Sequence, residues 1–176
     1  MKFIAKDGTQ FLIRKPRSTD AKALLEYYNT LLEERPIGIH HRENVTLSSE
    51  KGYLKDCLRK IRDGSGMFYC VEKDKKIVGL ASACIGEYLD IKHFADLSIS
   101  ILKEYRNKGL GSKLIQLLIE WAKKKKLDFI MLEPFSKNKG AIRLYRRLGF
   151  KKVATLPNYI KRGKEHQDEI VMYLYL

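Results

Sequence analysis

Residues 94–122 read FADLSISILKEYRNKGLGSKLIQLLIEWA, and their pattern is strand, loop, helix. In the strand, Leu97, Ile99 and Ile101 alternate toward one face. In the helix, expected from Ser112 to Lys125, one stripe carries Leu114, Leu117, Leu118, Trp121 and Ala122. Between them stand Arg106, Gly109 and Gly111 in the order R-x-x-G-x-G. Glycines let successive backbone N–H groups turn inward without a Cβ in the way, and the start of a helix adds unpaired donors and partial positive charge. Such a concavity fits a pyrophosphate, which Arg106 is expected to close with a planar, charge-assisted contact. The loop is neither of the two common nucleotide motifs. It lacks the Gly-Lys-Ser/Thr ending of an NTPase phosphate loop, and Leu114 stands where a dinucleotide fingerprint needs its third glycine.

Downstream, "LDFIMLEPF" (127–135) reads as a strand buried on both faces. "NKGAIRLYRRLGF" (138–150) is a short helix with Ala141, Leu144, Tyr145 and Leu148 on one stripe and Gly149 as its C-terminal stop. "KKVATL" and "DEIVMYLYL" are strands around a charged loop. Upstream, two short strands are expected around a two-residue turn at Asp7-Gly8, the second ended by Pro16. A helix capped within Ser18 to Asp20 follows, then the irregular "RPIGIHHRENVTL". A second helix, about Ser49 to Arg62, is capped by Ser48 or Ser49 and closed at Asp63-Gly64, and two strands surround a charged turn at Lys73 to Lys76. The order implies an α/β (α+β) fold: a mixed, mostly antiparallel central sheet flanked by helices, with one strand-helix-strand crossover. Neither an internal repeat nor a linker divides the chain, so residues 1–176 are expected to form a single domain.

The 176-residue chain is 44% hydrophobic but has no apolar run of about 18 residues, and Met1 to Gln10 is polar and charged. A soluble, cytoplasmic protein that does not enter a membrane is the expectation. Cys57, Cys70 and Cys84 are odd in number and unpaired by spacing, and His40, His41, His93 and His166 form no ligand pattern, so reduced thiols and no metal are expected. Of the net charge of +14, +11 belongs to residues 103–176, the half that carries the glycine loop. That field suits a polyanion, either nucleic acid or a phosphorylated cofactor. Nucleic acid is the weaker reading, because the aromatic residues do not interleave with the basic runs as stacking platforms do.

Two motifs together resemble the GNAT superfamily of N-acetyltransferases. The first is the Q/R-x-x-G-x-G/A loop after a strand, here Arg106 to Gly111. The second is Asn138, Ala141, Leu144-Tyr145 and Gly149-Phe150. The close match covers about Phe94 to Phe150, with Lys103 where Pro is frequent and Asn107 where Gly is frequent. The resemblance implies acetyl-CoA as co-substrate. Its pantetheine arm and thioester would lie along the backbone of Ile99, Ser100 and Ile101, with the Ile101 N–H as oxyanion donor. The pyrophosphate would lie on Arg106, Asn107, Lys108, Gly109, Leu110, Gly111 and Ser112. Asn138 is expected to contact the cofactor and cap its helix. Tyr145 matches the tyrosine that acts as general acid near the CoA sulfur, and an ordinary phenol pKa of about 10 suits a thiolate leaving group. Glu133, five residues before Asn138, resembles the base of ribosomal-protein alanine acetyltransferases, and partial desolvation at a strand end would raise its carboxyl. Asp96, Glu87, a histidine or a base acting through water remain open. An acetylated Cys84 is disfavoured, with no histidine paired to it.

The expected reaction is direct attack by a primary amine in a ternary complex. The acceptor pocket is expected among the first two helices, Arg35 to Leu47 and the loop from Pro157 to Gln167. The acceptor itself, a protein N-terminus, a lysine, a polyamine or another small amine, stays open, and the net positive charge argues against a polycation. A polyamine acetyltransferase and a non-catalytic CoA-binding regulatory module are the alternatives, and a homodimer is possible.

Overall fold

The computed structural model describes residues 1–35, 38–40 and 45–176. Among these, eight strands form one sheet in the order β1-β2-β3-β4-β5-β6-β8-β7. β1 (Lys2–Ile4), β2 (Gln10–Arg14), β3 (Gly66–Lys73), β4 (Lys76–Ile85) and β5 (Phe94–Ile101) form an antiparallel meander. The helix α3 (Leu110–Lys124) crosses over to β6 (Phe129–Leu132), which pairs parallel to β5. A second short helix, α4 (Lys139–Arg147), leads into the hairpin β7 (Lys151–Arg162) and β8 (Glu165–Tyr175), with β8 antiparallel to β6. The early helices are α1 (Ala21–Glu33) and α2 (Leu47–Asp63). No helix among the described residues is long and apolar enough to cross a membrane.

Several local expectations shift. The first hairpin does not turn on two residues: Ala5 N–H bonds to Thr9 O at 2.9 Å and Gly8 N–H to Ala5 O at 3.0 Å, with Gly8 at φ 81°. This is a three-residue turn ending in a left-handed glycine. By contrast, Asp74 and Lys75, both at positive φ, make the two-residue turn between β3 and β4. α2 begins two residues early because Thr46, not a serine, is its cap: Thr46 Oγ1 accepts from Ser49 N–H at 3.2 Å and Ser49 Oγ accepts from Thr46 N–H at 2.9 Å. The expected nine-residue strand at 127–135 shrinks to four, since Pro134 has no N–H to give a ladder. The expected charged loop from Pro157 to Gln167 is mostly strand, with an irregularity between Leu156 and Ile160. In α3 the deepest residues are Leu114, Ile115, Leu118 and Ala122, each fully buried against the sheet, while Leu117 is only half-buried.

Asp20 precedes α1 but makes no side-chain cap. Its carboxylate takes Arg14 Nη1 at 2.6 Å, Arg14 Nη2 at 3.0 Å and the Arg17 N–H at 2.7 Å, while Arg14 Nε reaches Glu72 at 2.8 Å. Burial alone would raise the Asp20 carboxyl, but the Arg14 guanidinium and Arg17 N–H outweigh it and hold it below its ordinary range. Replacing Arg14 by leucine strands two carboxylates, and the expected cost in urea unfolding is about 3 kcal/mol. The stability that the pair supplies is present above the unfolded carboxyl pKa of about 4 and is lost as pH falls through the depressed folded value. The cost should therefore shrink in titrations below about pH 3.

Candidate active site

β4 pairs with β5 from Ile85↔Ala95 to Gly79↔Ile101, whereas β6 pairs with β5 only from Phe94↔Phe129 to Asp96↔Met131. Beyond Asp96, β5 and β6 part, and a split opens in the sheet. The Leu102 N–H bonds back to Val78 O on β4 at 3.0 Å. Peptide groups alternate sides along a strand, so the N–H groups of Ile99 and Ile101 point away from β4 into the split. Ser100 differs from its neighbours: its backbone faces β4, and its hydroxyl accepts from the Tyr27 hydroxyl of α1 at 2.8 Å.

At one end of the split lies the glycine loop. The first intrahelical bond of α3 is Lys113 N–H to Gly109 O at 3.1 Å, and no side chain among the described residues caps the helix. The N–H groups of Leu110, Gly111 and Ser112 thus have no acceptor within the helix, and the helix dipole adds positive charge there. This fits an anion. Asn107 has φ 61°, which explains why the departure from glycine is tolerated: asparagine enters the left-handed region more readily than other side chains. Gly109 has φ 86°. Gly111 serves packing as well, since a Cβ there would stand 2.9 Å from Leu144 Cδ2 of α4. Arg106 does not lean over the helix start as expected. Its Nε donates to Ile101 O at 2.7 Å and its Nη2 to Glu34 at 2.8 Å. The Lys108 ammonium is held by Asp7 in the first hairpin, and that bond, with help from Thr9, pulls the Asp7 carboxyl well below its ordinary range.

Asn138 caps α4, the helix packed on Gly111, by accepting from Ala141 N–H at 3.3 Å, and a Cβ at Gly38 would stand 2.2 Å from its amide nitrogen. Tyr145 is buried, and burial pushes its phenol up to about 12. It stays protonated, but as a weaker acid than the ordinary phenol the sequence suggested. Glu133 is exposed, so the expected desolvation is missing. Continuing the β5–β6 register past Asp96↔Met131 sets Glu133 level with Ser98 across the split.

Sequence reading missed the company Glu133 keeps. Asp96 is exposed at the surface of β5, yet partial desolvation and then the Glu133 charge raise its carboxyl. On β8, Glu169 is 1% exposed, and burial first, then Glu133, raises its carboxyl against the opposing pull of His40. His40 Nε2 lies 3.2 Å from Glu169 Oε1, with its ring edge on Phe135 at 4.9 Å. Arg162 stacks over Phe135 at 5.4 Å and donates to Ile39 O, so Gly38 to His40 are docked onto this end of the site. The rest of the expected acceptor segment, residues 36, 37 and 41–44, lies outside the described residues. On the α1/α2 face of the sheet a cavity of about 90 Å³ lies among Tyr53, Leu54, Phe68, Ser82, Ser98 and Ser100. Of the other candidates, Glu87 is exposed 3.8 Å from Arg59, and burial pushes the Cys84 thiol up, away from the nucleophilic thiolate.

Residues 24–150 match the family model described as acetyltransferase (GNAT) family. The chain belongs to the GNAT family. This GNAT acetyltransferase is 27% identical over 170 residues to the N-alpha-acetyltransferase of Sulfurisphaera tokodaii, with 92% of each chain covered. It is 27% identical to the ribosomal-protein-alanine N-acetyltransferase of Brucella melitensis, whose structure superposes with a TM-score of 0.81 over 94% of this chain and 99% of that one. The yncA protein of Salmonella typhimurium, solved with its cofactor acetyl-CoA, shares the fold with a TM-score of 0.81 at 23% identity, over 94% and 93% of the two chains.

Proposed function

We propose that the protein transfers acetyl from acetyl-CoA to the α-amine of a protein N-terminus whose first residue is small, by direct attack in a ternary complex. The observation that carries this reading is the split between β5 and β6, with free N–H groups on one wall, uncapped α3 at one end and carboxylates at the other. The N–H groups of Leu110, Gly111 and Ser112 hold the pyrophosphate, with the loop Arg106 to Gly109 shaping their approach and Asn138 fixing α4 beside it. Ile99 lines the pantetheine channel. Bound there, acetyl-CoA supplies the thioester. The Ile101 N–H stabilises the oxyanion, Glu133 accepts the proton of the attacking amine, and the Tyr145 hydroxyl donates its own to the departing thiolate.

An α-amine has a pKa of about 8 against about 10.4 for lysine, so near pH 7 roughly a tenth of it is already neutral, far more than of a lysine, and an exposed carboxylate such as Glu133 has only a modest deprotonation to assist. The acceptor's first side chain enters the cavity at Ser98. At about 90 Å³ it is smaller than the ~150 Å³ that holds a benzene ring, and three serine hydroxyls line it, which suits a methyl or hydroxymethyl group. A second reading, a polyamine acceptor, is favoured by Asp96, Glu133 and Glu169, whose local negative charge offsets the net positive charge of the chain.

Thioester consumption with peptides beginning Ala, Ser, Met or Phe, and with spermidine, separates the readings. Ala and Ser peptides are expected to be used best. Preference for spermidine supports the second reading, and CoA binding without turnover of any amine supports a regulatory module. With the best peptide, Glu133→Gln should lower kcat/KM about 100-fold near pH 7 and less near pH 9, where the amine is already neutral. An unchanged pH profile would move the base to Asp96 or Glu169.

A further inference from the structure

Glu34 sits at the C-terminal end of α1, where the helix dipole disfavours a carboxylate and where the last turn has no basic residue. Its partners lie in the loop after β5. Glu34 Oε1 accepts the Lys103 backbone N–H at 2.7 Å, and Oε2 accepts Arg106 Nη2 at 2.8 Å. Arg106 Nε in turn donates to Ile101 O at 2.7 Å. A continuous chain of charge-assisted bonds thus runs from α1 to the last residue of β5. An exposed ion pair by itself contributes little, but here the carboxylate also fixes a main-chain N–H, and the guanidinium a main-chain carbonyl.

The bond to Lys103 depends on a departure in the sequence. Position 103 is one where proline is frequent in the motif this chain resembles, and proline has no N–H to give. Leu102 nonetheless has φ −57° and ψ 144°, the extended conformation that a following proline imposes. The backbone here has the shape proline would enforce covalently, and Glu34 holds it through the Lys103 N–H instead.

We infer that Glu34 is a positioning residue: through Lys103 and Arg106 it sets the conformation of Ile101, and so the aim of the Ile101 N–H at the reacting carbonyl. This rests on the reading of Ile101 as the oxyanion donor. It also explains why Arg106 is turned from the phosphate loop: its charge braces the strand end.

The test is steady-state kinetics of Glu34→Ala, Lys103→Pro and the double variant, with the best peptide of the panel and with melting temperatures alongside. Glu34→Ala is expected to lower kcat about tenfold, with KM for acetyl-CoA within about threefold of the parent, since misplacement of a reacting group acts on turnover. Adding Lys103→Pro should restore kcat to within about threefold of the parent, because the ring replaces the lost restraint. Lys103→Pro alone should leave kcat within about threefold of the parent. Unchanged kcat in Glu34→Ala, or a loss that Lys103→Pro does not repair, overturns the inference. A parent protein that turns over no amine overturns the underlying reading instead, so the two failures are distinct.

Discussion

Tyr145→Phe is expected to lower kcat about 100-fold while leaving the KM for acetyl-CoA within about threefold. The ring is buried in the core against Phe150, at 5.9 Å between centroids, and phenylalanine keeps that packing. No described residue hydrogen-bonds the Tyr145 hydroxyl, so its removal orphans no partner and the melting temperature should barely move. The variant therefore separates chemistry from folding. The pH dependence has a definite sign. Burial raises the phenol to about 12 and the protonated form is the active one, so this group takes activity away only as pH climbs toward that value. Between about pH 6 and pH 10 any limb in the wild-type profile belongs to the base or the amine. Turnover equal to wild type in Tyr145→Phe would remove the tyrosine from the acid role.

Gly111→Asp should weaken acetyl-CoA binding about 100-fold in calorimetry, from like-charge repulsion of about 3 kcal/mol at roughly 5 Å and an effective dielectric of about 20. An aspartate in the first turn of α3 is favourable for the helix itself, so the loss is not a helix defect. It arises because the carboxylate takes the uncapped N–H groups and repels the pyrophosphate meant for them. A Cβ at 111 also meets Leu144 Cδ2 at 2.9 Å, and Gly111→Ala isolates that effect. Alanine should cost far less affinity than aspartate. Equal losses would assign the glycine to α3–α4 packing and not to the anion.

Much of this arrangement was legible because it is local. The strand, the left-handed glycine at 109 and the amphipathic helix after it are set by residues within one short segment, and the cap at Asn138 likewise. Local reading failed where a residue's partner is remote. Arg106 looked like a phosphate ligand because cations beside glycine loops often are, but Glu34, 72 residues earlier, holds it elsewhere. Glu169 falls at the start of the expected strand "DEIVMYLYL" with no local sign of a role, yet it is buried, and His40 reaches it from 129 residues away. Glu133 was expected to be desolvated, and the early end of β6 leaves it exposed.

The sequence by itself therefore carried the family resemblance, in two motifs, and determined the loop that favours an anion, because backbone conformation and helix polarity follow from residues in order along the chain. Only the tertiary structure decided which β5 N–H groups face the split, where the Arg106 charge is placed and how Asp96 and Glu169 come within electrostatic reach of Glu133. Those depend on strand register and on contacts between α1, β5 and β8, which no local pattern encodes.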